Sequence, residues 1–117
     1  MLTGSETRIS SQYLQVRAGG DMAAIYGLCK ALFALDSSDR ARGGPGVLDR
    51  DFIARHTHGF EDFAAAVKAQ DWTDLEERSR LGRDAIEQAA LTYARADRVI
   101  GIYGMGLTQH RLGVETV

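Results

Sequence analysis

The sequence lacks most of the features that mark a secreted, membrane or nucleic-acid-binding protein. It has a single cysteine, Cys29, in 117 residues, which excludes an internal disulfide and a cysteine cluster that binds a metal. No apolar run approaches the roughly 18 residues of a membrane span, and the polar N-terminus has no signal-peptide core. The net charge of −2 offers no basic surface for nucleic acid. These absences favour a cytoplasmic protein without nucleic-acid or membrane partners.

What is present suits a single globular domain. Hydrophobic residues make up 44% of the chain, which is enough for a modest core. Residues 1–11 are polar and are expected to form an irregular segment before a domain at 12–117. Apolar spacing and turn residues predict helices in the middle of the chain at Met22–Leu35, from a cap at Asp49 to about His56, and at Phe60–Ala69, Trp72–Ser79 and Arg83–Ala96. The side chains predicted to be buried are Ile25, Leu28, Cys29, Leu32 and Leu35 on the first helix, Leu48, Phe52 and Ile53 with the second, Phe60, Phe63, Ala64 and Val67 on the third, and Ile86, Ala90 and Tyr93 on the last. The loop between the first two of these, Asp36–Gly46, is rich in glycine and serine.

Short apolar segments at each end of the domain predict two strands, Gln12–Arg17 and Val99–Tyr103. An all-helical connection between them requires that they be parallel. The predicted fold class is therefore α/β, a partial doubly wound (Rossmann-like) domain that is rich in helix and has a small parallel sheet. Two strands make a thin sheet, and Gly113–Val117 resembles the first turn of an uncompleted helix. Both observations lead us to expect a piece of a larger protein.

Two glycine loops follow the predicted strands. Gly104 and Gly106 end the second strand and precede the polar residues Thr108, Gln109 and His110. Loops at the carboxyl ends of parallel strands bind ligands in α/β proteins, and glycine lets the backbone approach a ligand closely. If the strands are parallel, both loops lie on one rim of the domain despite their separation in sequence.

The first loop, Gly19-Gly20-Asp21, precedes the clearest helix. A helix N-terminus there would offer free N–H groups to an anion, and Asp21 would cap the helix. A plain strand-to-helix turn also explains the two glycines, because short glycine motifs have a high false-positive rate. Arg17 could pair with a phosphate or with Asp21.

Other reactive side chains have simpler interpretations. Cys29 lies on the apolar stripe of its helix, which favours a buried inert thiol. His56 and His58 lie at a helix end, where the helix dipole favours a cap over a metal ligand. No residue is therefore assigned to catalysis or to a metal.

Three stretches of this sequence resemble the molybdopterin-guanine-dinucleotide oxidoreductases, specifically the formate dehydrogenase-like branch of the dimethyl sulfoxide reductase superfamily. They are Gln15–Ala23, Val47–Phe60 and Tyr103–His110, the last followed by Gly113–Val117. Their order and spacing fit, and the resemblance covers nearly the whole chain after the first ten residues. In that family this region is an internal part of the large catalytic subunit.

The resemblance implies contact with a bis-molybdopterin guanine dinucleotide cofactor that carries molybdenum. The loop at Asp21 would touch one dinucleotide, while Met105 and Gln109 would reach toward a pterin, with His110 adjacent. The residues implied in cofactor binding are Arg17, Gly19, Gly20, Asp21, Gly104, Met105, Gly106 and Gln109.

The sequence departs from the family in several places. Relatives have glycine at the position of Arg80 and a better helix-starting residue than Gly82. The chain also lacks a cysteine cluster for an iron–sulfur centre and a cysteine or selenocysteine ligand for molybdenum, since Cys29 does not match that position. An iron–sulfur cluster would therefore lie elsewhere in the longer protein.

Two functions remain open at this point. The first is a fragment of a formate dehydrogenase-like oxidoreductase, inactive alone, whose partners are the remaining domains of the same polypeptide and whose isolated form self-associates. The second is a stand-alone nucleotide-binding or protein-interaction module without catalysis.

Overall fold

The structure is a computed structural model, and it describes residues 10–109, 111 and 113–116. Within those residues the chain forms seven helices and no strand. They are α1 (Asp21–Ala41), α2 (Arg50–His56), α3 (Phe60–Ala69), α4 (Trp72–Ser79), α5 (Arg83–Arg95), α6 (Met105–Thr108) and α7 (Gly113–Thr116). No helix in this part of the chain is both long and apolar enough to cross a membrane.

The predicted α/β fold with a small parallel sheet is wrong. Neither Gln12–Arg17 nor Val99–Tyr103 forms a strand in the part of the chain that the structure describes. A strand exists only where its backbone groups bond to a neighbouring strand. The Arg17 N–H donates instead to the carbonyl of Ser79, at 2.9 Å. The two segments have a composition typical of strands, but no neighbouring strand pairs with either of them in the described residues.

Helix α1 is the central element, because α3, α4, α5 and α7 all pack against it. Its buried face carries the small residues Ala23, Gly27 and Ala31, which recur every four positions. A Cβ on Gly27 would lie 3.1 Å from the side chain of Ile86 on α5. The larger residues predicted to form the buried stripe are only partly covered, and Ile25 among them is exposed. Small residues therefore set the close approach of α5.

Helix α1 also extends to Ala41, beyond its predicted end at Leu35. The reason is Asp36, whose side chain is 1% exposed and forms ion pairs with Arg40 and Arg50. The same carboxylate accepts hydrogen bonds from the N–H groups of Val47 and Leu48, at 2.9 and 3.1 Å. The loop that follows the helix is thereby folded back onto it.

The predicted helices α2 to α5 are confirmed to within one residue. Asp49 caps α2 as predicted, accepting the Phe52 N–H at 2.8 Å. Asp71 caps α4 in the same way, accepting the Thr73 N–H at 2.8 Å. Asp21 is not the cap of α1: Gly20 holds that position without a side-chain hydrogen bond, and Asp21 is the first helical residue.

The core lies where α3, α4 and α5 meet α1. Val67, Leu75, Ile86 and Ala90 are fully buried there, three of them as predicted. Other helical residues predicted to be buried but found exposed are Phe52, Phe63 and Tyr93, and the segment Val99–Tyr103, expected to be a buried strand, is also exposed. Phe52 belongs to α2, which has no buried residue. Helix α7 begins at Gly113 as predicted, while Val117 lies outside the described residues.

Candidate functional site

The two glycine loops meet at one cavity of about 460 Å³. The residues that line it are Val16, Arg17, Ala18, Gly19 and Asp21 from the first loop and Ile102, Tyr103, Gly104, Gly106 and Leu107 from the second. The prediction that the loops share one rim is confirmed, although the sheet expected to bring them together is absent from the described residues.

The first loop is a tight turn that rests on the end of α4. Gly19 has a φ of +80°, which favours glycine, and the Gly20 N–H donates to the Arg17 carbonyl at 2.8 Å. A Cβ on Gly20 would lie 2.9 Å from the Cα of Ser79 and would collide with the Arg78 carbonyl. Gly20 does not line the cavity. Packing against α4 thus accounts for glycine at position 20 without a ligand.

The turn delivers the N-terminus of α1 to the cavity. Helix α1 has 21 residues and no side-chain cap, so the N–H groups of its first turn are available to a ligand. Asp21 is half-buried and Arg17 is exposed. The structure shows no ion pair between them, which leaves the guanidinium of Arg17 without a partner among the described residues.

The second loop exposes its backbone to the cavity at two glycines, and the space beside both glycines is empty. Gly104 has a φ of −145°, a conformation open to any residue, and a Cβ there or at Gly106 would meet no atom within 4 Å. Met105 is 65% exposed and Gln109 is also exposed, and neither lines the cavity. His110, predicted to be adjacent, lies outside the described residues. Packing within the described chain does not explain why glycine occupies either position.

One supporting element was not anticipated from the sequence. Ser79 is fully buried, and its hydroxyl donates to the Leu75 carbonyl at 2.7 Å and accepts the Leu81 N–H at 3.1 Å. Its own carbonyl binds the Arg17 N–H. The feature of the sequence that pointed to this turn was Arg80, at a position where the family resemblance predicts glycine. In the structure Arg80 has a φ of +61°. The turn after α4 is therefore the base on which the first loop rests.

The other reactive groups lie away from the cavity. Burial raises the pKa of the half-buried Cys29 thiol, which packs against the cluster of Phe33, Ala64 and Val67. His56, in the last turn of α2, places its ring 4.8 Å from that of Phe52. No group of three or more metal-binding side chains occurs among the described residues.

The side chains that the structure describes around the cavity suit the binding of a ligand more than the breaking of a bond. Its lining offers backbone N–H groups, the carboxylate of Asp21, the guanidinium of Arg17 and the phenol of Tyr103. No nucleophile paired with a base lines it within the described residues. The arrangement suits a ligand with an anionic group and a hydrogen-bond donor edge.

Comparison with known proteins shows that the sequence is similar to segments of longer proteins. No protein-family model matches the sequence. The whole chain is 44% identical to Protein YdeP of Escherichia coli strain K12 and covers 15% of that protein. It is 28% identical over 116 residues to an uncharacterized oxidoreductase of Mycobacterium bovis, covering 99% of the chain and 14% of that protein. It is also 28% identical over 110 residues to Formate dehydrogenase H of Escherichia coli strain K12, covering 94% of the chain and 14% of that enzyme.

This chain is similar to one segment of longer oxidoreductases. It spans about 15% of the length of the curated relatives it matches. Formate dehydrogenases are among those relatives, so the sequence-based prediction of an oxidoreductase fragment is confirmed at that level.

Proposed function

We propose that this chain forms one wall of the cofactor site in a formate dehydrogenase-like, molybdopterin-dependent oxidoreductase. The observation that carries the proposal is the single cavity at which the two glycine loops meet. The similarity to Formate dehydrogenase H supports it. The partners in this proposal are the remaining domains of the same polypeptide.

The lining residues fit part of a bis-molybdopterin guanine dinucleotide. Gly104 and Gly106 leave open space that a side chain would occupy, and the uncapped N-terminus of α1 suits an anionic diphosphate. A cavity of about 460 Å³ is the size of a drug-sized ligand site, much smaller than the whole cofactor. The remaining contacts must come from other parts of a longer protein.

Each residue has a distinct role in this proposal. Arg17 and the first-turn N–H groups of α1 bind diphosphate oxygens, and Asp21 accepts hydrogen bonds from a guanine edge. Met105 and Gln109, exposed beside the cavity, contact a pterin. The bound cofactor supplies the oxidation–reduction chemistry through its molybdenum, while these residues bind and orient it.

A chimera tests the proposal. The segment of Escherichia coli Protein YdeP that aligns with this chain is replaced by residues 1–117, which are 44% identical to it. Molybdenum and pterin are then measured per protein in the chimera and in the unaltered host. The expected result is equal cofactor content in both. A host that carries no molybdenum or pterin overturns the choice of cofactor.

Matched variants of the chimera test the cavity itself. Asp21→Asn and Gly104→Val are each expected to lower cofactor content several-fold, because one removes an acceptor and the other fills open space. The control is Asp84→Asn, which changes another first-turn carboxylate, on α5 and outside the cavity. Unchanged cofactor content in both cavity variants would show that the loops do not bind it.

A further inference from the structure

The first loop of the cavity is attached to the rest of the chain at one point, the end of α4. The N–H of Arg17, which lines the cavity, donates to the carbonyl of Ser79 at 2.9 Å. Within the described chain, no other hydrogen bond joins residues 12–19 to a helix other than α1. The place of Arg17 at the cavity therefore depends on where the Ser79 carbonyl lies.

The side chain of Ser79 fixes that carbonyl. Its hydroxyl donates to the Leu75 carbonyl at 2.7 Å and accepts the Leu81 N–H at 3.1 Å. Ser79, Leu75 and Leu81 are all buried. Without the hydroxyl, the Leu81 N–H would lose its acceptor in a place that water does not reach, which is costly. The turn would have to shift to satisfy that group, and the Ser79 carbonyl would shift with it.

The residue that follows Ser79 has an unfavourable backbone conformation. Arg80 is the only residue other than glycine with a positive φ in the described part of the chain. Such conformations persist where the surrounding contacts hold them, and they concentrate near functional sites. The hydroxyl of Ser79 bonds to Leu75 before Arg80 and to Leu81 after it, so it supplies part of that hold.

We propose that Ser79 is a positioning residue of the cavity. Its hydroxyl fixes the turn after α4, and its carbonyl then holds the backbone of Arg17, which keeps the Arg17 guanidinium beside the N-terminus of α1. A serine with a purely structural role would add stability without affecting the cavity. The inference rests on the proposed function for the identity of the ligand, whereas the placement of Arg17 does not depend on it.

Hydrogen exchange of single amides, read by NMR in the 117-residue chain, tests the placement of Arg17. Ser79→Ala is expected to make the Arg17 amide exchange about tenfold faster, because the carbonyl that protects it is no longer fixed. An Arg17 amide that exchanges as slowly in this variant as in the original chain overturns the proposal.

Two control variants separate positioning from stability. Ser37→Ala removes a hydroxyl that also donates to the carbonyl four residues earlier, on α1 and away from the cavity. Val67→Ala removes buried volume on α3 and is expected to speed exchange at the core amide of Ala90 but not at Arg17. An equal rise at Arg17 in Val67→Ala would show that general stability protects this amide, and the proposal would be wrong.

Gly20→Ala perturbs the same contact from the other side. A Cβ on Gly20 would lie 2.9 Å from the Cα of Ser79, so the methyl group would push the first loop away from α4. This variant is also expected to speed exchange at Arg17, and it replaces Ser79→Ala if that variant does not fold. Unchanged exchange at Arg17 in Gly20→Ala would contradict the proposal in the same way.

Cofactor content in the YdeP chimera tests the effect on the ligand. Ser79→Ala is expected to lower molybdenum and pterin several-fold, while Val67→Ala leaves them unchanged at a temperature where both variants are folded. Full cofactor content in the Ser79→Ala chimera overturns the positioning role. A host that holds no molybdenum rejects only the proposed cofactor, and exchange at Arg17 then decides whether Ser79 positions the loop.

Discussion

Arg80 adopts a backbone conformation that suits glycine. Its φ of +61° ends α4 in the left-handed region, where a Cβ is unfavourable. Arg80→Gly is expected to raise the free energy of unfolding by about 1 kcal/mol, measured by urea denaturation of the 117-residue chain. For a chain of this size the melting temperature would rise by about 4 °C.

Arg80→Ala separates the backbone effect from that of the charge. This variant removes the guanidinium but keeps the Cβ, so its stability is expected to match that of the original chain. A gain as large as that of the glycine variant would show that side-chain repulsion, and not the backbone, makes Arg80 unfavourable.

Asp36 predicts how stability depends on pH. Burial opposes ionisation of its carboxyl, but the hydrogen bond from Arg50, the N–H groups of Leu48 and Val47 and the charge of Arg50 outweigh it and lower its pKa from 3.8 to about 2. A lowered native pKa stabilises the fold above the unfolded value, and that stability is lost as the pH falls from about 4 to about 2. The loss is expected to be about 2 kcal/mol.

Denaturation of the original chain and of Asp36→Asn across this pH range measures the effect. The variant is expected to be less stable at pH 7 and to lack this part of the acid dependence. The comparison fails if both proteins lose stability in parallel between pH 4 and 2. Asp74→Asn, in an exposed i,i+4 pair with Arg78, serves as the control.

At the scale of elements, the start of α1 packs against the end of α4. Substitution of Gly20, which lies at that contact, is therefore expected to cost more stability than substitution of Gly104, which does not. Gly20→Ala places a methyl group against the backbone of Arg78 and Ser79, and it is expected to cost about 1–3 kcal/mol. Gly104→Ala meets no atom and is expected to leave stability unchanged. Thermal denaturation of both variants gives the comparison, and equal effects would contradict the packing role of Gly20.

These contrasts show which features could be predicted from sequence. Helix periodicity and the cap at Asp49 depend on nearby residues, so α2 to α5 were predicted closely. The end of α1 was not, because Asp36 finds its partners 11 to 14 positions further along. The sheet was wrong because a strand needs a partner that composition cannot specify. The meeting of the two glycine loops was predicted, but the helices and the Arg17–Ser79 hydrogen bond are what position the first loop.

At the scale of the whole molecule, the proposed cofactor site is incomplete in this chain. Its Cα radius of gyration is 16.3 Å, against roughly 13 Å for a compact domain of this length. Sites for small molecules bury most of the ligand surface, which an open cavity of two loops cannot do. The isolated chain is therefore expected to bind GMP or GDP more weakly than about 1 mM, to hold no molybdenum and to leave formate unoxidised.

Calorimetry with each nucleotide, metal analysis of the purified chain and a formate oxidation assay check this expectation. Micromolar affinity for GMP or GDP would instead support the stand-alone nucleotide-binding module. Stoichiometric molybdenum would show that the segment holds the cofactor by itself.

The sole thiol of the chain gives it a built-in reporter of local opening. Cys29 lies half-buried between α1 and α3, so a thiol reagent reaches it faster when those helices separate. Because no other cysteine competes, a change in the rate of modification reports a change in how often that interface opens. Labelling kinetics can thus follow the local opening of α1. A ligand that binds at the N-terminus of α1 and stabilises the helix would slow the reaction.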